Sequence, residues 1–252
     1  MRLSKKVALI TGGASGLGTH IAQSFLAEGA QVFIADIDEE AGLATCGQLG
    51  VGAEFVPLDV ASDSSWRACL DTVVSKATAV DILVNNAGIL IFDDIESATL
   101  ENWEKVQGIN GTGVFLGCKF GVEVMRRRSK SGVIINVASA GSFRPSPENL
   151  SYCASKALVA NLTRTVALHC ANKGYGIRCN SLHPGVINTP MISGDLDGEE
   201  ADAVLEEFAA IHPLGRVATA GEIARAAVFL ASDDSAYMTG SPLIVDGGYT
   251  IA

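Results

Sequence analysis

The 252-residue chain has no apolar run near the roughly 18 residues that a bilayer-crossing helix needs, and its mean hydropathy of +0.30 is spread along the length. Basic residues are scarce. Eighteen Lys+Arg stand against 28 Asp+Glu, a formal net charge of −10 with a pI near 4.8. Nucleic-acid binding rests on cations neutralising phosphates, so that class of partner is excluded. The one basic run, Arg126-Arg127-Arg128 with Lys130, reads as a helix end, where cations complement the dipole. Six cysteines (46, 69, 118, 153, 170, 179) include no CxxC pair, and the opening residues lead into an apolar run too short for a signal peptide. Reduced thiols in a cytoplasmic protein are the expectation. Histidines 20, 169, 183 and 212 lack ligand spacing, and no metal site is expected. Low-complexity tracts, repeats and linkers are missing too. With 48% apolar and only 18% charged residues the chain buries a sizeable core, which excludes disorder.

What remains is a regular alternation. Short β-rich runs at Val7–Thr11, Gln31–Asp36, Glu54–Leu58, Asp81–Asn85, Gly132–Ser139, Ile177–Leu182 and Pro242–Asp246 are separated by helix-length segments, among them 16–28, 39–49, 62–76, 150–172 and 220–232. A further long helical region carries Trp103 and Phe115. Continuous apolar strands alternating with helices predict an α/β fold: one doubly wound domain over residues 1–252, with about seven parallel strands and helices on both faces. Glycine, 27 of 252 residues, is in excess over the usual 7% or so, and the excess sits at strand ends. In such sheets ligands bind beyond the carboxyl ends of the strands.

The first strand runs into Thr11-Gly12-Gly13-Ala14-Ser15-Gly16-Leu17-Gly18 and a helix. Gly12 lets the chain turn, Gly16 allows backbone to approach a pyrophosphate at the helix N-terminus, and Gly18 permits close packing of helix on sheet. The spacing is GxxxGxG rather than GxGxxG, and an ordinary βα turn is the bland alternative. Asp36 ends the second strand, 18 residues past Gly18, where a carboxylate accepts hydrogen bonds from ribose hydroxyls and repels a 2′-phosphate. No cation lies between Gly12 and Gly18, or at Ile37, to counter it. NAD is the expected cofactor. Asp59-Val60 and Asn86-Ala87-Gly88 follow the third and fourth strands at the same crevice. An adenine contact and cofactor-side packing compete there with a helix cap and a polar turn.

Tyr152 and Lys156 lie one helical turn apart on one face and can address one site. A phenol titrates near pH 10, and lowering it by about three units needs about 4 kcal/mol. An ammonium about 5 Å away at an effective dielectric of about 20 supplies roughly 3.3 kcal/mol, and oxidised nicotinamide adds a second positive charge. Ser139, thirteen residues before Tyr152, is placed to hydrogen-bond a substrate oxygen. Alone, a YxxxK is common, and Tyr152 could equally keep its hydroxyl in water.

Taken together, Thr11-Gly12-x-x-x-Gly16-x-Gly18, Asn86-Ala87-Gly88, Asn110, Ser139, Tyr152-x-x-x-Lys156 and Pro184-Gly185 resemble, in order and spacing, the classical short-chain dehydrogenase/reductase family, across Lys6 to Tyr249. Ala138 departs from a frequent first serine. The resemblance implies a Rossmann fold in which Tyr152 is general acid/base and Ser139 polarises the substrate oxygen. It implies that Lys156 holds the ribose and acidifies the tyrosine, and that Asn110 supports a proton-relaying water. Pro184, Gly185, Val186, Ile187 and Thr189 are then expected at the nicotinamide end.

The segment from about 187 to 214 is long enough for a mobile substrate lid. Its Val186, Met191, Ile192 and Leu196, with Leu90, Ile91 and Phe143, predict an apolar pocket, unless they pack the core. Arg144 either meets an acidic substrate or is solvated. The wording of the motifs looks nearest to bacterial NAD-dependent hydroxysteroid and secondary or cyclic alcohol dehydrogenases. The alternatives are a 3-oxoacyl-carrier-protein reductase, disfavoured by Asp36 and the acidic charge, and a non-catalytic NAD-binding protein. An apolar alcohol or ketone is the expected small-molecule partner, and the resemblance implies a homotetramer.

Overall fold

The structure, a computed structural model, describes residues 1–128, 131–194 and 198–252; Lys130 and Leu196 lie outside the described residues. Seven strands, β1 (Val7–Thr11), β2 (Gln31–Asp36), β3 (Ala53–Pro57), β4 (Ile82–Asn85), β5 (Gly132–Val137), β6 (Ile177–Pro184) and β7 (Pro242–Val245), form one parallel sheet ordered β3-β2-β1-β4-β5-β6-β7. Order reverses between β1 and β4, the point at which loops leave the sheet in opposite directions and open a crevice.

Helices α1 (Gly16–Ala27), α2 (Glu39–Leu49) and α9 (Ala220–Ala231) cover one face. On the other lie α3 (Asp63–Ala77), α4 (Leu100–Val106), α5 (Gly113–Arg128) and α6 (Leu150–Asn172). Two short pieces, α7 (Pro190–Ser193) and α8 (Gly198–Ala210), lie between β6 and α9. The period-2 alternation of buried strands divides the core in two. Leu9 and Phe33 pack with Trp66, Leu83 and Ile134, whereas Ala8, Ile10 and Ile34 pack with Ile21, Phe25 and Ile223. All six cysteines are free, and five are buried.

Local chemistry fixes the ends. Ser62 caps α3 by accepting from Ser65 N, and Thr219 with Glu222 forms a capping box on α9. α6 is anchored from outside. The buried Asp93, in the loop after β4, accepts from Ser151 N at 3.0 Å and from the Ser151 hydroxyl. Two features differ from the sequence reading. β5 stops at Val137, because Ser139 turns to cap a short 3-10 turn, its hydroxyl oxygen accepting from Gly141 N at 3.1 Å. The helical region between β4 and β5 is interrupted by a π-helical turn over Gln107–Thr112, which joins α4 to α5 and carries the fully buried Asn110. Such turns add a residue to the helix and re-aim its side chains.

Candidate active site

A cleft of about 550 Å³ opens at the carboxyl ends of the strands. Its floor on one side is the loop between β1 and α1. Gly12 takes φ +63°, and a side chain there would meet Ala87 Cα at 2.7 Å. Gly16 takes φ +52° and faces open space, with nothing nearer than Thr189 at 3.8 Å. Ser15, the N-cap residue, makes no side-chain bond to the first turn of α1, which carries no acidic residue. Uncapped N–H groups beside an open, glycine-lined cradle fit a pyrophosphate.

Asp36 stands at the far end of the cleft. Its carboxylate accepts from Ala14 N at 3.1 Å and Asp38 N at 3.2 Å, which fixes its direction and leaves lone pairs for a diol. Asn86 ties the two sides of the switch point together by donating to Thr11 O and Gly12 O, both at 3.0 Å. The Thr11 hydroxyl oxygen accepts from Asn86 N and Ala87 N. Asp59 caps no helix: it closes a local turn by accepting from Ala61 N at 2.9 Å, and it lines the cleft. Every residue expected at the cofactor lines this cleft except Gly18. Gly18 lies behind the loop, where an added Cβ would stand 2.1 Å from Gly12 O; it shapes the turn instead of touching a ligand.

α6 presents Tyr152 and Lys156 to the same cleft. The Lys156 ammonium stands 5.4 Å from the centre of the Tyr152 ring and donates to Val137 O at 2.9 Å. Gly88 is what lets the groups converge: a Cβ there would crowd Asn110 Oδ1 at 3.2 Å and Lys156 Nζ at 3.4 Å. Asn110 sits one layer behind. Its amide donates to Ile89 O (2.9 Å) and Ser155 Oγ (3.1 Å), and its Oδ1 accepts from Ile89 N (2.9 Å).

The electrostatics correct one expectation. Burial pushes the Tyr152 phenol up to about 12, with the Ser139 side chain pulling the other way by hydrogen bonding. Burial also brings the Lys156 ammonium down to about 8. In both groups desolvation by burial is the largest cause of the shift.

The far wall is apolar. Leu90, Met191 and Ile192 line it. Phe143 and Ile91 do not: Phe143 is turned outward, exposed on one side and packed on His183 on the other. Phe92, Phe208, Ile211 and Tyr249 take their place. The i, i+3 spacing of Phe208 and Ile211 was the available signal; Tyr249 had none, because its partners Arg144 and His212 are distant in sequence. Arg144 is half-buried at the cleft, with its guanidinium engaged by the chain end. It donates to Tyr249 O at 2.6 Å and lies 4.5 Å over the Tyr249 ring, which in turn stacks on His212. His212 joins the end of α8 to the β6–α7 loop, donating to Phe208 O at 2.7 Å and accepting from Val186 N at 3.3 Å.

Comparison with known proteins places the chain in a family. Residues 12–250 match a family model described as enoyl-(acyl carrier protein) reductase. A 3-beta-hydroxysteroid dehydrogenase of Comamonas testosteroni is 42% identical over 246 residues, 97% of this chain and 96% of that protein. An NADP-dependent (R)-specific alcohol dehydrogenase of Lentilactobacillus kefiri is 38% identical, covering 99% and 98%. A cyclopentanol dehydrogenase of a Comamonas species is 39% identical, covering 99% and 98%. These matches run over nearly the full length of the chain, which belongs to the classical short-chain dehydrogenase/reductase family.

Proposed function

We propose that the protein is an NAD-dependent dehydrogenase interconverting apolar secondary alcohols and ketones, with hydroxysteroids and cyclic or aryl carbinols as the substrate class. The observation that carries this reading is the cluster at the cleft floor, where a phenol, a serine hydroxyl and an ammonium meet beneath an apolar wall. The hydroxysteroid, cyclopentanol and alcohol dehydrogenases among its relatives act on the same kind of carbinol group, as their names state.

In oxidation, the Ser139 hydroxyl hydrogen-bonds the substrate oxygen, keeping its own proton, and Tyr152, as phenolate, takes the alcohol proton. The bound nicotinamide supplies the hydride acceptor. Lys156 holds its positive charge beside the phenolate, and Asn110 backs it across Gly88. The proton leaves past Lys156 toward a water on the Asn110 side. The 187–214 segment serves as substrate lid: Ile192, Phe208 and Ile211 project into the cleft while α8 buries none of its described residues.

Asp36 supports NAD over NADP. Among the described residues lining the cleft the cations are Lys156, beside Tyr152, and Arg144, committed to Tyr249, so neither offsets a 2′-phosphate against that carboxylate. The NADP dependence named for one relative is the competing outcome. Steady-state oxidation of a cyclic secondary alcohol is expected to give a kcat/KM for NAD+ at least tenfold above that for NADP+; an equal or higher value for NADP+ overturns the cofactor reading.

No described helix is long and apolar enough to cross a membrane. A cytoplasmic homotetramer is part of the proposal, and Phe115 on α5 with Leu158 and Leu168 on α6 offer exposed apolar contacts for it.

A further inference from the structure

β5 and β6 pair in register as far as Val137↔Leu182, and Ala138 N still donates to Leu182 O at 2.8 Å. In a parallel ladder the next bond back comes from the N–H two residues further along β6. That residue is Pro184, which has none. The main chain of β6 therefore cannot continue the ladder where β5 runs out toward Ser139.

One residue further on, at Ser139, a side chain takes over. His183, fully buried, places Nδ1 2.9 Å from Ser139 O and Nε2 2.8 Å from Ser181 Oγ. A carbonyl oxygen only accepts, so Nδ1 carries the proton and Nε2 accepts from the Ser181 hydroxyl. Ser181 and His183 share a face of β6, as the strand period requires. Phe143, just past the turn that Ser139 caps, lies against the imidazole with ring centres 4.8 Å apart. Burial, with Lys156 nearby, lowers the imidazole's proton affinity and keeps it in this neutral tautomer. The imidazole thus grips both ends of the turn that begins at Ser139. Gly141 N occupies one lone pair of the Ser139 hydroxyl oxygen, so its proton points elsewhere.

We infer that His183 is a positioning residue: by holding the Ser139 carbonyl just past the point where the β5–β6 ladder ends, it sets the direction in which the Ser139 hydroxyl meets the substrate oxygen and the Tyr152 phenol. This rests on the role given to Ser139 above. Misplacing a reacting group by about 1 Å costs on the order of a hundredfold in rate.

The test uses the full-length protein, two variants and two readouts. Nitrogen-15 NMR of labelled imidazole should find His183 protonated at Nδ1; protonation at Nε2 alone overturns the inference, since the Ser139 bond could not form. His183→Phe keeps the ring and removes the donor. It should lower kcat for alcohol oxidation about tenfold to a hundredfold, leave KM for NAD+ within about twofold of wild type, and move the acid limb of the pH–rate profile to higher pH as the Ser139 bond to the phenol weakens. His183→Asn, whose amide nitrogen sits near the Nδ1 position, should restore rate and profile to within a few-fold. Unchanged kcat and profile in His183→Phe overturn the inference. So does an equal loss in both variants without a profile shift, which marks a role in packing alone. A wild-type protein that moves no hydride brings down the underlying reading of Ser139 instead.

Discussion

Lys156→Met puts the electrostatic account to a quantitative test. The ammonium is almost fully buried, with Val137 O as its hydrogen-bond acceptor. Burial holds it at about 8 against an ordinary 10.5, a gap of about 2.5 units. At about 1.36 kcal/mol per unit, the charged lysine burdens the fold by up to about 3.4 kcal/mol wherever it is protonated in both states. Methionine keeps the length without the charge, but strands the Val137 carbonyl at a cost of about 1–3 kcal/mol. At pH 7 the variant should therefore be catalytically dead yet at least as stable as wild type, by up to about 2 kcal/mol.

The pH dependence is sharper than the offset. For a cation whose folded value is depressed, the folded protein sheds its proton first, so the unfolded state binds more protons between the two values and stability rises with pH. Wild type should gain on the variant from pH 8 upward, by about 2.7 kcal/mol at pH 10, before the raised phenol begins to act. Urea denaturation of both proteins at one concentration from pH 7 to 10 measures the difference. A difference independent of pH would refute the claim that desolvation governs this lysine.

Other expectations follow from single contacts. Gly18→Ala improves helix propensity by up to about 1 kcal/mol, yet drives a methyl to 2.1 Å from Gly12 O. The clash should win by roughly 1–3 kcal/mol and lower Tm by several degrees, read by calorimetry. A higher Tm would mean that the loop yields freely. Arg144→Met removes the donor to Tyr249 O and the cation over its ring. Amide hydrogen exchange in residues 247–251 should accelerate at least tenfold while the affinity for NAD+ stays unchanged. Unaltered exchange would show that the chain end is held by His212 instead.

Much of the fold was legible because buried parallel strands are written as continuous apolar runs, and the switch-point crevice follows from their alternation with helices. The Tyr152–Lys156 pair was legible because helical spacing alone puts both on one face. Other features depend on events the local pattern does not carry. The π turn at Asn110 is a shift of backbone hydrogen bonds inside a sequence that reads as ordinary helix. Phe92 and Phe143 are equally apolar, and the sequence does not say that Phe92 lines the cleft while Phe143, past the 3-10 turn, packs on His183. The rise of the Tyr152 phenol came from burial, which a pairwise distance between two charges leaves out. Arg144 and Tyr249 are 105 residues apart, and their contact exists only once β7 has paired with β6.

The central claim is that the Tyr152 phenol carries the proton while hydride leaves a carbinol carbon. The direct measurement uses a secondary alcohol deuterated at that carbon, NAD+, and mass spectrometry of the recovered dinucleotide, for wild type and Tyr152→Phe. Wild type should yield NADH one mass unit heavier with every turnover. The variant, which keeps the ring and loses the proton carrier, should do so on the order of 10²–10⁴-fold more slowly while still binding NAD+. Deuterium arriving in the dinucleotide at the wild-type rate in Tyr152→Phe, or none arriving with wild type across steroid, cyclic and aryl carbinols, would contradict the account.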